Sequence, residues 1–144
     1  MPITVIATRG ALTPEGRARV VPELAAALLS STGAEGNAFV TSIVGGTVQD
    51  AEPADVYAAD GANRPLVLVE VKVPAGVFSE ADQRAAFVER AAAVVAGCAE
   101  PGRPATDTWV NVVSADEGGW GIGPTSFTTE RLLAAVEAGA PLAG

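Results

Sequence analysis

With 144 residues, 49% of them hydrophobic and 18% charged, the chain is long enough for one packed domain or two fused half-domains and too apolar for disorder. A net charge of −8 and nine scattered Lys and Arg argue against a nucleic-acid partner. The lack of histidine and a single cysteine, Cys98, remove the common ligand sets for zinc, haem and iron–sulfur clusters, together with every Ser-His or Cys-His pair, so no cofactor is expected.

Asp and Glu remain as ligands for a hard cation, without a dense acidic loop to hold one. The start of the chain lacks a basic segment followed by an apolar one, and no apolar run reaches the length of a membrane span. The chain therefore reads as cytoplasmic, in keeping with a lone Cys98 that has no internal disulfide partner.

The chain opens Met1-Pro2-Ile3-Thr4-Val5-Ile6-Ala7, a proline behind the initiator methionine running into a β-branched strand over residues 3–8. Pro2 has two explanations. A strand tolerates proline at its first residue because no ladder donor is needed there. Alternatively, removal of Met1 leaves Pro2 as a free secondary amine, a base built from the backbone itself. After the turn at Arg9-Gly10, Thr13-Pro14-Glu15 supply an N-cap, a first-turn proline and a first-turn acid. A helix follows to about Ser31, with Val20, Val21, Leu24, Leu28 and Leu29 on one face, a kink or restart at Pro22, and Gly33 as its stop.

Residues 37–44 read as a second strand ended by Gly45-Gly46, and residues 47–63 as a linker loop with a short hairpin around Asp55-Val56-Tyr57. The pattern then restarts. Pro65-Leu66-Val67-Leu68-Val69-Glu70-Val71-Lys72-Val73 is a near-continuous apolar strand, Ser79-Glu80 cap a helix carrying Phe87, Val88, Val94 and Val95 to near Gly97, and residues 108–113 form a fourth strand. A Gly-rich hairpin over residues 118–123 and a short helix over residues 128–136 follow.

Pro2 and Pro65 mark a repeat of about 63 residues, a duplicated βαβ unit that divides one domain, 1–144, into halves 1–63 and 64–144. The fold class is α+β: two right-handed crossovers in a four-stranded sheet with both helices on one face. The strands read as apolar on both sides, so the bare face needs a partner, which predicts a homo-oligomer with its sheets facing one another.

The Met-Pro start, the duplicated βαβ unit and the strand 108–113 running into Gly118-Gly119-Trp120-Gly121-Ile122-Gly123 resemble the tautomerase superfamily. The resemblance covers nearly the whole chain and is nearest to 4-oxalocrotonate tautomerase-like members with two fused units, the size class of cis-3-chloroacrylic acid dehalogenase. It implies a homotrimer, a small-molecule carboxylate substrate and catalysis by Pro2 freed of Met1. A base that moves protons between oxygen and carbon works best with a pKa near ambient pH; an α-amino group already lies at about 7.7 to 8.0, and burial lowers it.

The resemblance is incomplete at the polar groups. The fused dehalogenases hold the carboxylate with two arginines after the second unit's first strand, whereas this chain has Val73-Pro74-Ala75-Gly76-Val77-Phe78. Antiparallel pairing of the unit-leading strands brings Lys72 to Pro2, so Lys72 is the candidate carboxylate or enolate partner, or else a solvated strand-end lysine. Asn111 stands at the dehalogenases' water-activating tyrosine and Gly119 at their acidic residue, and their histidine is absent. Hydrolytic dehalogenation is not expected, and Asn111 either orients a substrate carbonyl or is satisfied by backbone. Trp120 matches the family's aromatic wall over the proline. Trp109 reads as core, Tyr57 as the first unit's counterpart of Trp120, and Arg9, Arg64 and Arg103 as surface or interface residues. Pro65 is peptide-bonded and marks a vestigial second site.

The reading is a proline-based tautomerase or isomerase of a small unsaturated keto or enol acid, with Pro2 as base and acid. The alternatives are a catalytically inactive trimeric binding or structural protein of this fold, or a hydratase-type relative.

Overall fold

The computed structural model describes residues 1–78 and 80–141. Strand β1 (Pro2–Thr8) leads into helix α1 (Pro14–Ser31), whose N-cap Thr13 accepts the Gly16 N–H at 2.9 Å. Gly33, at φ +66°, follows the C-cap Thr32. Pro22 neither ends nor restarts α1. It sits on the exposed side, and Ala18, whose carbonyl loses its usual donor, is exposed as well, so the missing bond falls on the solvent side of the helix.

Residues 37–44 are not a strand. Asn37 accepts the Val40 N–H at 3.0 Å and caps a short helix, α2 (Ala38–Ser42). The β-branched content of this stretch was outweighed by the cap, with Phe39 and Val40 buried on one side of a single turn. Gly45-Gly46 then begin β2 (Gly45–Ala51) rather than ending a strand. Gly46 has a steric reason: a Cβ there would lie 2.2 Å from the Ile3 carbonyl oxygen, so only glycine lets β2 close on β1. The predicted hairpin at Tyr57 is absent; residues Pro53–Asp55 form a 3-10 turn, and Tyr57 is 79% exposed in the following loop.

The second unit follows its prediction closely. β3 (Val67–Val73) precedes α3 (Ala81–Cys98), capped by a reciprocal Glu80–Gln83 box; Ser79 lies outside the described residues. β4 (Thr108–Ser114), the hairpin of β5 (Trp120–Ile122) and β6 (Thr125–Phe127), and α4 (Thr129–Ala138) complete the chain.

The sheet order is β2-β1-β3-β4, with β1 parallel to β2, β3 parallel to β4, and β1 antiparallel to β3. Ile3, Val5 and Ala7 of β1 and Val67, Val69, Val71 and Val73 of β3 alternate onto one face, against Val20, Leu24 and Leu28 of α1 and Phe87, Ala91 and Val95 of α3. The two helices meet closely at Gly16, where a Cβ would stand 1.9 Å from the Cys98 carbonyl oxygen.

The opposite face is mixed rather than apolar. The alternation that sends the β3 valines inward sends Glu70 and Lys72 outward, beside Thr4 and Asn111 as well as Ile6, Leu68 and Val113. Trp109 lies there too, 45% exposed, and is not core; its register opposite Leu68 puts it on the uncovered side.

Candidate active site

The starts of β1 and β2 and the ends of β3 and β4 share one end of the sheet, and a cleft of about 650 Å³ opens there. Pro2 lies at its rim. The segment from Ser42 to Gly45 forms one wall, the hairpin with Trp120 the other, and Lys72 and Val113 of the uncovered sheet face complete it. The register that sets Ile3 opposite Val71 carries Pro2 beside Lys72, as the antiparallel pairing predicted.

Trp120 is 8% exposed and packs edge-on against Phe127 at a centroid distance of 5.5 Å; Phe127 in turn meets Phe39 of α2 at 6.0 Å. The wall is thus a ring held by other rings rather than by its glycine-rich neighbours. Ser126 donates to the Gly118 carbonyl at 2.6 Å. The Glu117 carboxylate accepts the Thr129 N–H and hydroxyl at 2.6 and 2.7 Å, which joins the hairpin to α4 and holds that carboxyl below its usual range.

Lys72 is the one cation lining the cleft among the described residues, and its Nζ is 3.0 Å from Glu70 Oε1. Asn111 lies on the same sheet face, opposite Glu70, but outside the cleft lining. Arg9 is at the far end of β1, paired with Glu52. Arg64 and Arg103 are not free surface groups: Arg64 pairs with the buried Asp107 at 2.7 Å, and Arg103 donates to the Pro65 carbonyl at 3.2 Å and Thr108 at 2.8 Å, bracing the start of the second unit.

Two features were missed from the sequence. The wall from Ser42 to Gly45 was hidden by the strand assignment, although Gly36-Asn37 ahead of an apolar stretch is a capping signal. The second is Met1, only 4% exposed, whose terminal amine donates to the Ile43 carbonyl and whose carbonyl accepts the Gly45 N–H at 3.3 Å. Burial pushes this amine from 8.0 down to about 6. The Met1 amine is therefore largely unprotonated at neutral pH.

Two βαβ units around one four-stranded sheet, with Pro2 and Trp120 lining a cleft at its end, form a fold shared with solved fused 4-OT and cis-3-chloroacrylic acid dehalogenase-family structures. The chain is similar to Q0, a fused 4-OT that is a symmetric trimer, at 20% identity over 92% of this chain and 98% of that one, with a TM-score of 0.74. It is similar to N1, a member of the cis-3-chloroacrylic acid dehalogenase family, at 19% identity over 98% and 93% of the two chains and a TM-score of 0.76. It is also similar to FG41 malonate semialdehyde decarboxylase inhibited by 3-bromopropiolate, at 15% identity over 93% and 95% and a TM-score of 0.65. At these identities the likeness is one of fold. No protein-family model matches the sequence, and no curated protein matches it. No helix among the described residues is long and apolar enough to cross a membrane.

Proposed function

We propose that this chain is a proline-based tautomerase or isomerase of a small unsaturated keto or enol acid, working as a homotrimer after Met1 is removed. The observation that carries this reading is the meeting of Pro2, Lys72 and Trp120 at one cleft, from three separate elements. The unprotonated Pro2 amine takes the enol hydroxyl proton, and the resulting ammonium returns a proton to carbon, leaving the keto acid and the free amine. Lys72 faces the substrate's negative charge, and Trp120 lies against its unsaturated carbons and excludes water. The named neighbours are a fused 4-OT, a dehalogenase-family member and a decarboxylase, which supports an enzyme; the trimeric 4-OT supports the assembly.

A second reading, a binding or structural protein without turnover, is favoured by one observation: Lys72 is already paired with Glu70, and the cleft holds no arginine among its described lining. Two measurements separate the readings. Mass spectrometry of the mature chain is expected to find Met1 absent; a retained Met1 makes Pro2 an amide nitrogen and ends the catalytic reading. The Met1-free protein is then expected to ketonise phenylenolpyruvate or 2-hydroxymuconate, with Pro2→Ala losing at least about a hundredfold in kcat/KM, the usual scale for a general base. Equal rates would leave only the second reading.

A further inference from the structure

Met1 occupies more than the position ahead of Pro2. Residue alternation turns it to the helix side of the sheet, opposite to Pro2, where it lines both the Pro2 cleft and a second cavity of about 160 Å³ behind it. That second cavity is walled by α2, α4 and the loop after β3, with Val40, Val77, Leu132 and Val136 among its lining and no charged side chain among the described lining residues. Asn37 fixes its geometry: its Oδ1 caps α2, and its Nδ2 donates to the Val136 carbonyl at 2.9 Å.

Removal of Met1 therefore does two things besides freeing Pro2. The vacated side-chain space joins the cleft to the apolar cavity, and the Gly45 N–H loses the Met1 carbonyl it serves at 3.3 Å. We infer that the ligand binds as a replacement for the departed methionine. One carboxylate or enolate oxygen takes the Gly45 N–H beside Pro2, and an apolar tail runs into the pocket between α2 and α4. This deepens the proposed function and rests on it for the removal of Met1. It selects the substrate class: monocarboxylic keto or enol acids with an aryl or alkyl tail, rather than dicarboxylates. A second carboxylate would enter a space without a cation to receive it, a desolvation cost without compensation. The backbone donor adds a second polar partner beside Lys72 in a cleft with no arginine among its described lining.

Calorimetry with two unreactive probes tests this on mass-verified Met1-free chain and on the same chain purified with Met1 retained. The expected result is that 3-phenylpropanoate binds the Met1-free chain at least about tenfold tighter than adipate, and at least about tenfold tighter than it binds the Met1-bearing chain, the scale set by filling an apolar pocket. Val136→Trp, which narrows the pocket from α4, is expected to abolish the preference; Leu133→Trp, from an exposed position on the same lining, serves if the first variant does not fold. Equal affinities for the two probes, or for the two forms of the chain, overturn the inference. Turnover separates it from its premise. Selective binding without Pro2-dependent ketonisation removes the chemistry and leaves the pocket, whereas Pro2-dependent ketonisation with no preference between the probes removes the pocket alone.

Discussion

Lys72 and Glu70 stand two residues apart on one strand, so both side chains emerge on the uncovered face and pair at 3.0 Å. The pair is half exposed, and such pairs contribute about 0 to 1 kcal/mol, so a substrate carboxylate competes with Glu70 for the lysine at little cost. Lys72→Ala is expected to lower kcat/KM about tenfold, and Glu70→Gln, which leaves the lysine unpaired, to lower KM. Steady-state kinetics on phenylenolpyruvate checks both, and an unchanged kcat/KM in Lys72→Ala would return the lysine to a surface role. Met1 carries a second prediction at this scale. Its amine is pushed by burial from 8.0 down to about 6 in the Met1-bearing chain. The folded state releases the proton near 6 and the unfolded state near 8.0, so the unfolded state binds more protons between these values. Stability of the Met1-bearing chain should therefore rise from pH 6 to pH 8, as read from urea midpoints, and blocking the amine by acetylation should flatten the profile. A flat profile before acetylation would mean that the amine is solvated.

The two long helices are held at the distance that Gly16 permits. Its N–H bonds Thr13, and its missing Cβ leaves room for the Cys98 carbonyl; Thr13 N–H reaches that same carbonyl at 3.1 Å, and Glu100 N–H reaches Ala11 at 3.1 Å. Gly16→Ala gains up to about 1 kcal/mol of helix propensity but drives a methyl into rigid backbone, and overpacking of this kind costs about 1 to 3 kcal/mol or more. A net loss of about 1 to 2 kcal/mol in urea denaturation is expected, and equal stability would show that α1 and α3 can slide apart. This contact was not legible in the sequence, since a glycine in a helix looks the same whether or not a carbonyl faces it. What was legible followed from periodicity and caps: Thr13-Pro14 started α1, and the three-and-four spacing in α1 named Val20, Leu24 and Leu28 on its buried face, whereas in α3 Phe87 and Val95 are buried but Val88 is exposed. The misreadings came from local signals overruled by neighbours. Residues 37–44 have strand composition, but Asn37 finds the Val40 N–H and the Val136 carbonyl, and the helix wins. Gly45-Gly46 look like a stop, but they start β2, where Gly46 lies close against Ile3. At the site, Pro2, Lys72 and Trp120 came together because strand register and one hairpin place them. Asn111 fell outside the cleft because a single strand position on one face decides which end of the sheet a residue serves.

At the scale of the molecule, the helices cover one face of the sheet and leave the other to solvent. That face holds Ile6, Leu68, Trp109 and Val113 among Thr4, Glu70, Lys72 and Asn111, a composition closer to an interface than to a core or a solvated surface. The cleft at Pro2 opens on this same side through Lys72 and Val113, so a neighbouring copy seated on the sheet also narrows the site. The proposed homotrimer is thereby linked to the proposed chemistry. Trp109, 45% exposed in the single chain, is the largest of the side chains named on that face, and aromatic residues of this kind carry a large share of interface energy. The wild-type chain is expected to sediment at three times its 14.4 kDa mass. Trp109→Glu, which leaves the helix-packed face untouched, is expected to weaken association at least about 30-fold, the equivalent of a hot-spot loss of about 2 kcal/mol. Far-ultraviolet circular dichroism should be unchanged, while kcat/KM falls with the fraction dissociated and recovers as protein concentration rises. A wild-type chain that sediments as a monomer at micromolar concentration would separate the fold from the assembly. Trp109→Glu trimers with full activity would move the interface to another surface.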